Sequence, residues 1–104
     1  MTDKELLVLA AKAVGQDVWT DCDGNLYVGE PERTWKPIDD DGDAFRLAVK
    51  LSLHIDQWIG EVQACNQYVD DDTHVWARES HNDNPCAATR RAIVRVAAMI
   101  GGAK

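Results

Sequence analysis

Between Trp35 and Leu53 the chain passes from an aromatic side chain, through a proline and a run of aspartates, into its most strongly patterned apolar segment. Pro37 fixes its own φ and pushes Lys36 towards an extended conformation, so no helix can run through Trp35-Lys36-Pro37. The run Asp39-Asp40-Asp41-Gly42-Asp43 supplies oxygens that accept hydrogen bonds from the free N–H groups of a helix start, and its charge suits the helix dipole. From Ala44 the spacing is helical: Ala44, Leu47, Ala48 and Leu51 share one side, flanked by Phe45, Val49 and Leu53. Arg46 and Lys50 mark a narrow solvated stripe. So wide an apolar arc predicts the best-buried helix of the chain. A rigid tripeptide leading into a buried helix needs a fixed anchor, so Trp35 is expected to be buried. None of this is catalytic chemistry.

The segments on either side predict an α+β domain. Thr2 and Glu5 make a capping-box pattern, and Leu6, Leu7, Ala10, Ala13 and Val14 then line one helical face that Gly15 can end. Val18–Thr20 and Leu26–Val28 are short β-prone runs around Asp23-Gly24, a strong hairpin signal. Gly29 to Thr34 reads as loop. After the central helix, His54–Trp58, Glu61–Cys65 and Thr73–Arg78 alternate as strands, with Val62 and Ala64 sharing a face and a polar connection containing Asp70, Asp71 and Asp72. Pro85 after Asn84 starts a last helix, on which Thr89, Ile93, Val96, Ala97 and Ile100 share a face, Arg91 and Arg95 oppose them, and Gly101-Gly102 is the stop. The expected order is α-β-β-α-β-β-β-α: an antiparallel sheet of four to five strands with three helices packed on it, resembling an α/β/α sandwich.

At 104 residues the chain has the size of one domain, residues 1–104. No apolar run approaches the roughly 20 residues that span a bilayer, and Met1 to Glu5 does not open a signal peptide. A cytoplasmic protein is expected, with Cys22, Cys65 and Cys86 as free thiols. A net charge of −7 disfavours nucleic acid, whose phosphates demand lysine and arginine.

Candidate chemistry is sparse. Asp21, Asp23, Gly24 and Glu30 fall at calcium-loop spacing, but Trp19 stands at the first ligand position and Pro31 where an exiting helix should begin. His54, His74, His81 and the cysteines contain no close ligand pair of the kind zinc sites show. Cys86, in the first turn of the last helix and near His81 in sequence, is the best-placed thiol. A small residue packing at a helix start explains it more simply. No nucleophile–base pair can be placed, and no enzyme, cofactor or metal is expected.

Trp19, Trp35, Trp58 and Trp76 are more informative, because four tryptophans exceed what so small a core needs. Tryptophan is enriched at protein interfaces. Alternation sets Trp58 and Trp76 among polar neighbours, so at least one is expected to be exposed. Candidate binding residues are therefore Trp58, Trp76, Asp70, Asp71 and Asp72. An alternative is a small-molecule or nucleotide site in a tryptophan-lined pocket between sheet and helix, with Arg78 or Arg33 meeting an anionic group.

The segments TWKPIDDDGDAFRLAVKL, from Thr34, and AATRRAIVRVAAMIG, from Ala87, with the opening TDKELLVLAAKAVG, resemble the phage ABA sandwich domain of small bacteriophage and prophage proteins. The resemblance spans essentially the whole chain, weakening between Asp56 and Asn84. It implies a phage-encoded accessory protein with helices on both faces of a sheet, and carries over no catalytic residue. The expectation is a non-enzymatic protein of the host cytoplasm that binds a host protein, with a homodimer also admitted, and neither nucleic acid nor membrane as partner.

Overall fold

The structure, a computed structural model, describes residues 2–20, 22, 25–28, 33–67 and 73–103, excepting the side chains of Val28 and Arg33. The elements are α1 (Asp3–Ala13), β1 (Val18–Thr20), β2 (Leu26–Val28), β3 (Arg33–Thr34), α2 (Asp41–Lys50), β4 (His54–Trp58), β5 (Glu61–Cys65), β6 (Trp76–Ser80) and α3 (Pro85–Gly102). The fold is α+β in the expected order, with β3 as an additional two-residue strand where a loop was expected. Among the described residues the strands form two antiparallel meanders, β1-β2-β3 and β4-β5-β6, where one sheet of four to five strands was expected. The first closes beside the central helix: the Trp35 N–H continues its ladder by donating to the Leu26 carbonyl at 2.9 Å.

The helix ends follow from their caps. Thr2 accepts from the Glu5 N–H at 3.2 Å, and Gly15, at φ +70°, turns the chain out of α1. Asp40 caps α2 by accepting from the Asp43 N–H at 2.8 Å, so the helix begins three residues before Ala44, within the aspartate run. Asn84 accepts from the Ala87 N–H at 3.0 Å, with Pro85 at the first turn of α3. At the far end of α2, Ser52 takes the left-handed position (φ +53°) that usually holds glycine, while the Leu53 N–H reaches back to the Ala48 carbonyl at 2.9 Å. Ser52→Gly is therefore expected to raise stability by about 1 kcal/mol, measured as a higher urea midpoint at unchanged slope; an unchanged or lower midpoint would mean the serine relieves its own strain.

The best-buried helix is α3, not α2. Ile93, Val94 and Ala97 of α3 meet Ala10 and Ala11 of α1, Trp35, and Ala44, Leu47 and Ala48 of α2 in one core. Ala88, Ala92 and Val96 of the same helix meet Val62, Ala64 and Ala77 of the second sheet in another. Helices thus stack on one side of β4-β5-β6, with α3 as the shared middle. Helix α2 buries only Asp43, Ala44, Leu47 and Ala48, while Phe45 and Val49 stand 68% and 60% exposed. The apolar arc that predicted deep burial is half used.

Arg91 and Arg95, expected to face solvent, tie α3 to its neighbours. Arg91 pairs with Asp3 of α1 at 3.1 Å, and Arg95 donates to the Arg78 carbonyl at 3.0 Å and pairs with Glu79 of β6. Arg90 donates to the Ile38 carbonyl at 2.7 Å and pairs with Asp41 at 2.5 Å, fixing the start of α2. Three guanidiniums on one helix hold three different elements. Gly101 also proves to be more than a stop: it lies within the last turn of α3, where an added Cβ would come 1.8 Å from the Leu9 carbonyl oxygen. It is glycine because α1 crosses there at backbone contact.

Candidate functional site: an open sheet face

Residues paired across β4-β5-β6 share a face. Val62, Ala64 and Ala77 point to α3. The opposite face carries His54, Asp56 and Trp58 of β4, Glu61, Gln63 and Cys65 of β5, and Trp76, Arg78 and Ser80 of β6. Among the described residues no helix covers it.

On this face the two candidate tryptophans converge. Trp58 is 43% and Trp76 53% exposed, and the guanidinium carbon of Arg78 lies 4.8 Å from the Trp58 ring centroid and 5.8 Å from that of Trp76. The strand register brings this about. Arg78 stands opposite Gln63 on β5, two residues along its own strand from Trp76 and diagonal to Trp58 across the sheet. Gln63 fixes the arginine by accepting from its Nε at 2.9 Å. Two indoles and a guanidinium are thereby locked into one platform, each stacking contact worth about 0.5–1 kcal/mol at an exposed site. Arg78 is an exposed residue, and among the described residues no carboxylate forms an ion pair with it.

The remaining groups of the face do not build a reaction centre. Partial burial, with the Asp56 carboxylate adding to it, pushes the Cys65 thiol up against a smaller opposing effect of its hydrogen bond with Gln63. The thiol therefore stays protonated at neutral pH and is a poor nucleophile there. Cys86 is exposed at the second position of α3, while His81 is engaged elsewhere, its Nε2 lying 3.0 Å from Gln57 Oε1. Among the described residues no group of three His, Cys, Asp or Glu side chains is arranged to hold a metal. Asp70, Asp71 and Asp72, with Asp21, Asp23, Gly24, Glu30 and the side chain of Arg33, lie outside the described residues.

An apolar groove of about 310 Å³ runs between α2 and β4. Ala44, Phe45 and Ala48 form one wall, Ile55 and Gln57 the other, and Thr89 and Ile93 of α3 the floor. No tryptophan lines it, unlike the pocket expected between sheet and helix. Trp35 is instead a core residue, 5% exposed. The groove escaped sequence reading because Phe45 and Ile55 fit a buried pattern; nothing local says that the wall between them is missing. Comparison with protein-family models, curated proteins and solved structures returns no match.

Proposed function

We propose that this chain is a phage accessory protein that acts without catalysis, by binding a host protein through the open face of β4-β5-β6. One specific form of this is countering a host defence. The observation that carries the reading is the Trp58–Arg78–Trp76 platform. Large aromatic rings and arginine are the residues that dominate binding energy at protein interfaces. Here they are held rigid before any partner arrives, which lowers the entropic cost of association. The likeness of residues 34–51 and 87–101 to the phage ABA sandwich domain supports the phage origin. A chain of net charge −7 presents an acidic and aromatic surface that favours a partner with a basic patch, and Arg78 can meet a single carboxylate of that partner at the platform. No helix among the described residues is long and apolar enough to cross a membrane.

The test is capture from lysate of the native host by tagged protein, compared with Trp58→Ala, Trp76→Ala and Arg78→Ala variants. Wild type is expected to retain a stoichiometric partner. Each variant, with a urea midpoint close to wild type, is expected to bind it about 30-fold more weakly, the effect of losing roughly 2 kcal/mol. A partner held equally well by all four proteins would place the interface elsewhere.

A further inference from the structure

The second sheet has two outer strands, and they are finished differently. Along β6, Arg95 reaches from α3 to donate to the Arg78 carbonyl at 3.0 Å and pairs with Glu79. Strand β4 has no such cover: all five of its residues are exposed, and among the described residues no strand pairs with its far side. The two-residue turn Ile59-Gly60 makes Trp58 and Glu61 a hydrogen-bonded pair, so alternation leaves the main-chain groups of Ile55 and Gln57 pointing away from β5. Open strand edges invite another strand unless charge, proline or a bulge blunts them; β4 has neither proline nor bulge, and its one acidic residue is Asp56.

What lies beside this edge is apolar. Ile55 is 38% and Phe45 68% exposed, and both line the groove over α3. A strand added to β4 would send every second side chain into that groove and the others onto the open face.

We propose that the occupant is a second copy of this chain, its β4 antiparallel to the first about a two-fold axis at Ile55. Asp56, the one formal charge of β4 at pH 7, and the His54 beside it favour that register. Centring the axis on Asp56 would set two aspartates directly opposite each other, which is repulsive. Centring it on Ile55 puts Ile55 against the partner's Ile55 on the groove side. It also puts His54 against the partner's Asp56, twice by symmetry, on the open face. The main-chain groups of Ile55 are the outward ones, so this pair closes with two hydrogen bonds. The product is a continuous six-stranded sheet, with both grooves closed along the axis beside Phe45. Its open face carries the tryptophan–arginine platform twice. This inference does not depend on the proposed host partner, since it concerns a different edge and needs no second protein.

Sedimentation equilibrium of the purified chain tests it. Wild type is expected to associate to twice the monomer mass of 11.6 kDa as concentration rises. Ile55→Lys, which buries a charge at the axis, is expected to leave a monomer. His54→Asp is expected to weaken association by about tenfold or more, because two attractive pairs become repulsive. The double variant His54→Asp with Asp56→His restores the cross-strand aspartate–histidine pairs in this register and is expected to recover the dimer. Circular dichroism matching wild type confirms that each variant is folded, which exposed edge positions permit. A wild-type chain that stays monomeric at millimolar concentration overturns the proposal, including the case in which it accepts only a strand from a different protein. A dimer indifferent to His54→Asp overturns it as well.

Discussion

Trp35→Ala is expected to leave this domain marginal or unfolded. The indole is 5% exposed and packs among Ala10, Ala11, Ala44, Leu47, Ala48, Ile93, Val94 and Ala97. Most of those neighbours are alanines, whose side chains stop at Cβ and have no reach with which to refill the space. Collapse around the deletion would therefore require whole helices to move, and the cost of a cavity is greatest where collapse is hardest. Truncation of a buried tryptophan costs about 3–5 kcal/mol, a large part of the roughly 5–15 kcal/mol that holds a domain. The loop it anchors is tied on both sides, by the Trp35 N–H to Leu26 and by the Lys36 N–H to Asp43 Oδ2, each at 2.9 Å. Those bonds should loosen with it. Urea unfolding of Trp35→Ala beside Trp58→Ala and Trp76→Ala measures the contrast: the first should lose most of its midpoint, the other two little. A Trp35→Ala midpoint equal to wild type would mean that the core does not lean on this ring.

The second large effect is expected at Gly101. An added methyl would meet the Leu9 carbonyl oxygen at 1.8 Å and its carbon at 2.7 Å, both backbone atoms that cannot rotate away. Gly101→Ala must therefore push α1 off α3, and overpacking of this kind costs about 1–3 kcal/mol, occasionally more. For a domain of this size that is a fall in Tm of roughly 4–24 °C. Gly102 provides the control, since nothing lies within 4 Å of a Cβ built there. Gly102→Ala should be neutral or slightly stabilising, because alanine favours the helix. If the two variants melt together, α1 does not approach α3 as closely as described.

Much of the fold was legible because its signals are local. Pro37 before the aspartates, Gly15 after an amphipathic run and Asn84-Pro85 each act within a few residues, and the strands and helices of the chain fall close to their expected bounds. The misses are all non-local. Thr73–Val75 alternates like a strand, yet the Asn66 side chain takes its place in the ladder, its Oδ1 accepting from the Val75 N–H at 2.9 Å and its Nδ2 donating to the Thr73 carbonyl at 2.6 Å. β6 runs instead to Ser80. Glu79 and Ser80 lie beyond the strand end expected at Arg78, because nothing beside Glu79 in sequence announces that Arg95 will neutralise it. Phe45 and Val49 fit a core helix, but α3 offers too narrow a surface to cover them. For the candidate site, alternation was enough to expect an exposed Trp58 or Trp76. That both share a guanidinium depends on a register between strands that no single segment contains.

The shared position of α3 between two cores has a consequence for how the molecule is made. Both hydrophobic clusters draw on residues 88–97, and the second sheet has no apolar cover until they arrive. A growing chain therefore carries α1, both meanders and α2 as unsupported pieces while it is being translated. Short helices are marginal in water by themselves, and a small sheet whose apolar face is uncovered gains little from it. The ion pair from Asp3 to Arg91 and the approach of Leu9 to Gly101 join elements at opposite ends of the domain. Ordering should thus come late and all at once, after residue 102 has cleared the ribosome. Until then α1, made before the other elements described, remains open to chaperones and proteases.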